Sequence, residues 1–361
     1  MAYDFPSSPT EGQTFTPPGG PTYTYRAPAW RSGVTVPQIA KAQRNRLVNG
    51  AMQISQELTK TSTYTAANSY IADQWIVNFT TAGAPAFGLS TDTGGDVVNF
   101  ILLNNTVADA SVGATDYYRV GQIVEGTRIA DFRWGKTGAK PVVLRFKASS
   151  SITGTFAVCI QSGGYTFVKN LTFATASTWT DFTVPIPALT AGTTPIDTSS
   201  GLSLFFNIMA GSSFHAPVDG AWNSGGWMTA AGVSNWMSAT GQTFLLANVG
   251  LYLDADNTGV PPRWEMPDEA DELIACQRYW QRFTDTVYGS AAYTTNTGHY
   301  GDQTYIVPMR IAPAVSLGTP TYANASALAA GQRINHCYYS MSSVAAGNFN
   351  VVFTPTYSAR M

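Results

Sequence analysis

Charge is scarce in this 361-residue chain: Asp, Glu, Lys and Arg make up 12% of it, against about 25% in an ordinary globular protein. The 20 Lys and Arg offset 22 Asp and Glu to a formal net charge of -2. They are scattered, so no basic stripe is available to follow a phosphate backbone, which argues against a nucleic acid partner. Cysteine is limited to Cys159, Cys276 and Cys337, an odd number without short spacing that predicts buried free thiols, not a disulfide framework or a metal cluster. His215, His299 and His336 show no metal-ligand spacing, and no metal or cofactor is expected. No basic start is followed by an apolar run, and no segment approaches the roughly 20 apolar residues of a membrane span. The expectation is a soluble chain without an export signal or membrane insertion.

Catalytic signatures are missing too. There is no Gly-x-Ser-x-Gly elbow, and no pair of the sparse carboxylates stands where sequence fixes the separation that glycoside hydrolysis requires. Asp254-Ala-Asp256-Asn257-Thr-Gly259 has oxygen ligands beside a glycine. It lacks the full spacing and distant Glu of a calcium loop, and reads as a turn. No catalytic residue is assigned and the chain is read as non-enzymatic.

Gly, Ser, Thr, Asn and Tyr are abundant instead. A surface wetted by hydroxyls and amides suits an extracellular or particle component. From Phe5 to Arg31, prolines and glycines interrupt short Thr, Tyr and Phe runs, predicting a small strand-and-turn module over 1–35. Residues 36–45 form a polar connector with room for one or two helical turns. Between 46 and 262 about ten short β-branched and aromatic runs alternate with Gly, Asn and Asp turns and no amphipathic helix intervenes. In Pro141 to Ala148, Val142, Leu144 and Phe146 fall on one face while Val143, Arg145 and Lys147 fall on the other, the period of a half-buried strand. The pattern predicts an all-β fold whose central domain is an antiparallel sandwich of two packed sheets.

A linker and helix occupy 263–284. Asp268, Glu269, Asp271 and Glu272 lie where a helix dipole favours negative charge. Leu273, Cys276, Tyr279 or Trp280, and Phe283 follow at helical spacing, and the whole run to Phe283 reads as a short capping helix. A second, smaller β domain is expected over 285–361.

Several of these segments resemble bacteriophage tail-fibre and related virion proteins. The opening Pro9-Thr-Glu-Gly12-Gln13 turn, followed by a glycine-rich stretch and Trp30, is similar to the small modules that begin many of them. Asn45-Arg-Leu-Val-Asn49-Gly50-Ala-Met-Gln-Ile54 and Tyr70-Ile-Ala-Asp73-Gln-Trp75 look like the start of the jelly-roll in such fibres. Gln122-Ile-Val-Glu125 resembles a further strand, and Glu272-Leu-Ile-Ala-Cys276-Gln-Arg278-Tyr-Trp280 a closing segment, the most specific of the set. The resemblance covers about 1 to 283 and leaves the C-terminal part unmatched. It implies a jelly-roll related to carbohydrate-binding modules, a homotrimer, and an N-terminal attachment to other phage virion proteins through Phe5, Phe15, Tyr23, Tyr25 and Trp30. The implied location is a virion appendage, a tail or head fibre.

Read as residues alone, Trp75 is a core plug, Asp73 a turn or strand-end acceptor, and Glu125 a partner for a basic side chain or backbone donors. The segment from Ala221 to Ser238 holds Trp222, Trp227 and Trp236 within 15 residues, broken by Gly, Ser and Asn. With Asn223 and Asn235 these rings are the candidates for a host surface polysaccharide, flat faces on sugar C–H groups and amides on hydroxyls. The same rings would serve equally well for packing over the sandwich or between subunits. Tyr288, Tyr293, His299, Tyr300 and Tyr305 form a second candidate receptor patch. Two readings stand: a fibre that recognises host glycan, and a structural virion adaptor, collar or head-fibre subunit without receptor binding.

Overall fold

The computed structural model describes residues 5–17, 22–27, 29–32, 44–60, 62–92, 95, 97–291 and 298–361. The chain divides into two compact units, 1–44 and 45–361. In the first, strands Thr14–Phe15, Tyr23–Arg26 and Ala29–Ser32 form one antiparallel sheet. Most of the connector expected over 36–45 lies outside the described residues, including its possible helical turns.

The second unit is built on a jelly-roll β-sandwich. One sheet has seven strands, in spatial order Ala221–Ser224, Tyr165–Phe173, Gly154–Ser162, Ser200–Ala210, Tyr117–Glu125, Trp75–Thr80 and Ser69–Ala72. The facing sheet has five, Thr180–Ile186, Val142–Ser150, Phe244–Leu253, Asn99–Val107 and Ala84–Thr91. All pairings within both sheets are antiparallel. Phe146, Phe156, Phe173, Phe182 and Phe244 meet between the sheets with ring centroids 5.0–6.2 Å apart, the separations that edge-to-face and offset aromatic pairs favour. Val142, Leu144 and Phe146 point into this core as the alternation demands. Val143 is buried as well, between Pro185 and Tyr252 in the adjacent strands.

The helix is shorter than its apolar period suggests. It spans Glu269–Gln277, with the Asp268 side chain accepting from the Ala270 and Asp271 N–H groups at its start. At its end the Gln281 side chain donates to the Gln277 carbonyl (2.9 Å) and the chain turns into strand Trp280–Arg282, paired with Thr356–Ser358. Tertiary pairing therefore overrides a helical pattern that nominally continues to Phe283. The C-terminal part consists of three three-stranded sheets around a second core containing Tyr339, Phe349, Val351, Phe353 and Tyr357. It is fastened to the sandwich by Arg310, which donates to Thr198 O (2.6 Å) and Ala359 O (2.7 Å). Arg360 adds to this by pairing with Glu57 and stacking 4.1 Å over the Tyr70 ring.

Candidate functional site

Within 45–361, the segments that carry the phage-fibre resemblance converge at one place. Asn49 adopts a φ of 55° at its tight turn and binds through its side chain to Ile54 (backbone N and O) and the Asp73 carbonyl. Its own carbonyl accepts the Trp75 indole N–H (2.9 Å), and its N–H donates to Glu272. Gln122 reproduces a strand partner for Val48, accepting from its N–H and donating to its carbonyl at 2.7 Å each. Glu125, fully buried, receives Arg278 through Nε (3.0 Å) and Nη2 (3.1 Å) and the Thr127 hydroxyl (2.8 Å). Burial alone would raise the Glu125 carboxyl, but the hydrogen bonds from Arg278 and Thr127 outweigh it and hold the pKa below its ordinary value. At Asp73 and Glu272, by contrast, burial prevails and raises both carboxyls. The side chains of Asn49, Gln122, Glu125 and Trp75 are thus spent on the fold, and at these residues the motifs are structural.

The tryptophan segment is divided in three ways. Trp236 is 1% exposed; it sits in the main core against Phe173 and Phe244, with its N–H on Ser150 Oγ (2.6 Å). This corrects its candidacy, since a ring in the core cannot stack on a ligand. Asn223 is also withdrawn: it is buried, and its amide closes the turn at Val218 by bonds to the Val218 N–H, Val218 O and Ala221 O. Trp222 is half-buried, edge-on to Trp134 (5.2 Å) and Phe167 (5.8 Å), and donates to Pro187 O. Asn235 is committed to Asp109 O (2.7 Å) and the Met237 N–H (2.8 Å). Trp227 follows Gly225 and Gly226, which line an opening. It is half-buried, its indole N–H fixed on Ser224 O (2.7 Å) and its ring packed on the outward face of the seven-stranded sheet with Cys159, Val168 and Phe205.

That opening is a cleft of about 380 Å³ lined by Gln161, Tyr165, Ser200 and Ser203 together with Gly163, Gly164, Gly225 and Gly226. Gln161 and Ser203 are direct neighbours across paired strands and share the outward face. Gly163 and Gly164, at φ of 57° and 87°, make the two-residue hairpin that ends the sheet here. At Gly225, φ 102°, an added Cβ would lie 3.3 Å from the Trp227 indole nitrogen. The glycines thus keep backbone open at the cleft. Sequence reading missed Gln161, Tyr165 and Ser203, because a strand pattern shows which residues share a face but not which loop crosses it.

The second patch is not gathered into one place. Tyr288 and Tyr300 are exposed, at 74% and 79%, but on different sheets. His299 stacks 4.1 Å from the Phe349 ring, while Tyr305, 5% exposed, packs on Tyr357 in the C-terminal core, which corrects its assignment to a receptor surface. Tyr293 lies outside the described residues. In the N-terminal unit Phe5 stands 5.4 Å from Phe15, 4.9 Å from Tyr23 and 5.5 Å from Trp30, and Tyr25 stands 5.5 Å from Trp30. The five proposed attachment aromatics therefore build that module's own core.

The Asp254 carboxylate accepts from the Thr258 and Gly259 N–H groups (2.9 and 2.8 Å), as a turn requires. Among the described residues no group of three or more His, Cys, Asp or Glu is placed to hold a metal ion, and no helix is long and apolar enough to cross a membrane. All three cysteines are buried and none is in a disulfide.

No known protein-family profile matches the chain, and no curated protein matches it. Among solved structures, similarity extends to a putative sugar binding protein from Bacteroides thetaiotaomicron, 12% identical over 58% of this chain and 100% of that one, with a TM-score of 0.33. A family 11 carbohydrate-binding module from Clostridium thermocellum, in complex with a β-1,3-1,4-mixed-linked tetrasaccharide, is 12% identical over 53% of this chain and 95% of its own, with a TM-score of 0.28. A module titled TmCBM61, in complex with β-1,4-galactotriose, is 10% identical over 58% and 99%, with a TM-score of 0.29. Scores this low carry no inference about what this chain binds.

Proposed function

We propose that this chain is a non-enzymatic glycan-binding protein of a phage particle, which engages host surface polysaccharide at the cleft beside Trp227. The observation that carries the reading is the cleft itself. A 380 Å³ opening combines an amide, hydroxyls and glycine backbone, and Trp227, next in the chain after its lining residues Gly225 and Gly226, is held at its edge by an indole N–H bonded to Ser224 O. The phage assignment rests on the sequence resemblance, and on it the N-terminal unit joins the chain to other virion proteins, in a tail or head fibre. Three copies per fibre would multiply a weak glycan contact through effective concentration.

The test is binding of the purified full chain to extracted host envelope glycans, with its mass measured by light scattering in the same preparation. Trp227→Ala, checked for native circular dichroism, is expected to weaken binding about tenfold or more, the equivalent of roughly 1.4 kcal/mol. Unchanged binding by the folded variant removes Trp227 from the site. A second reading, the structural adaptor, draws support from the burial of Trp236 and Asn223 in the sandwich. It prevails if the chain attaches to particles lacking it yet binds no glycan from the host.

A further inference from the structure

The outward face of the seven-stranded sheet carries a positive charge that the protein does not neutralise. Arg119 lies on the strand Tyr117–Glu125, directly across from Asn207 on one side and Asn78 on the other. Its guanidinium sits 4.0 Å over the Phe205 ring and 5.2 Å from the Tyr117 ring. Among the described residues no carboxylate lies within ion-pair distance of it. Its Nε is buried without a hydrogen-bond partner, whereas the two Nη groups, which donate to no protein acceptor, are not buried. Burial lowers the Arg119 pKa, the sign of a cation stripped of water without an anion in return. Aromatic faces compensate only part of that loss.

The same face leaves other polar capacity unused. Asn207 is fully buried; its amide nitrogen donates to Met228 O (2.9 Å), but its Oδ1 has no partner, and neither has the hydroxyl of the adjoining Thr229. Along the strand Ser200–Ala210, Ser203 at the cleft, then Phe205 and Asn207, point to the same side. Ser203 at the cleft and Asn207 beside Arg119 are thus some 13 Å apart, four residues of strand at about 3.3 Å each, and Phe205 and Asn207 are buried, so Arg119 is an anion site of its own on this sheet face.

We infer that the glycan engaged by this protein is acidic, and that Arg119 receives a carboxylate of it through the Nη groups. This rests on the glycan-binding reading above and narrows it to a charge class. A guanidinium held flat on an aromatic ring presents its Nη edge as a fork, the geometry that matches a carboxylate. Neutral sugars would leave the cation as unmet as it is in the free protein.

The test uses the full chain with three acidic probes, an oligogalacturonate, a hyaluronan tetrasaccharide and sialyllactose, each paired with its carboxyl-methylated form so that charge is the one change. At least one acid is expected to bind ten- to a hundredfold more tightly than its ester, the range of one charge-assisted hydrogen-bonded pair, with the preference shrinking as salt rises. Arg119→Gln is expected to abolish the preference and Arg119→Lys to keep part of it, with circular dichroism and melting temperature recorded for both. If Arg119 only packs on Phe205, the Gln variant melts lower but discriminates acid from ester as before, and the inference is overturned. Equal binding of acids and esters overturns it too, while leaving the glycan reading intact. If none of the six probes and no host glycan binds, both fall together.

Discussion

Glu125 shows how a single buried charge sets a pH limit. Its carboxylate is fully buried while the Arg278 side chain is 37% exposed, so the pair is anchored from the inside. The folded pKa lies below the unfolded one. The resulting stabilisation is fully present above the unfolded pKa, near 4.3, and is lost as pH falls through the folded value. Glu125→Gln should therefore be less stable than wild type at neutral pH, and the difference should shrink as pH drops below about 4. Urea unfolding at pH 7, 5 and 3.5 checks this; a difference that grows on acidification would show that Glu125 is not held ionised by Arg278. The sequence announced a partner for Glu125 but not which one, since Arg278 lies 153 residues away. Trp75 was legible as a core residue because it alternates with Val77 on a recognisable strand, and both are 0% exposed. The three loop tryptophans were not separable: without a period, nothing in their spacing distinguishes Trp236 in the core from Trp227 at the cleft.

At the scale of elements, the strands were readable from alternation, whereas their order was not. Arg119, Gln161 and Ser203 occupy outward positions on three different strands, and only the spatial order of those strands brings them to one face of the sheet. The helix was readable at its acidic start and misread at its end, where pairing with Thr356–Ser358 captures Trp280. A second element-level constraint is Gly121, at the centre of the seven-stranded sheet. A Cβ there would come 2.1 Å from the Leu204 carbonyl oxygen and 2.4 Å from the Phe205 ring. Backbone cannot yield as a side-chain tip can, so Gly121→Ala should cost about 3 kcal/mol or more. Chemical denaturation measures it; a loss under about 1 kcal/mol would mean the two strands can part without penalty. Because Phe205 supports Arg119, the same substitution should also weaken acidic-glycan binding.

For the whole molecule, the two-sheet sandwich and the smaller C-terminal β region were foreseen from composition and turn spacing. Their fastening was not, because it depends on Arg310 and Arg360 reaching carbonyls and carboxylates remote in sequence. The three buried thiols give this architecture an unplanned use. Cys159, Cys276 and Cys337 are each 0% exposed, and each belongs to a different apolar cluster: the outward sheet face beneath the flap that carries Ala216, Trp227 and Ala230, the helix against Val48 and Ile54, and the C-terminal core. Alkylation followed by mass spectrometry should therefore time the opening of three regions separately in one unlabelled protein. Saturating acidic glycan is expected to slow modification of Cys159 alone. Uniform slowing at all three positions would instead mean that the ligand stabilises the molecule as a whole, and the chain would be reporting global unfolding rather than a local breath of the flap.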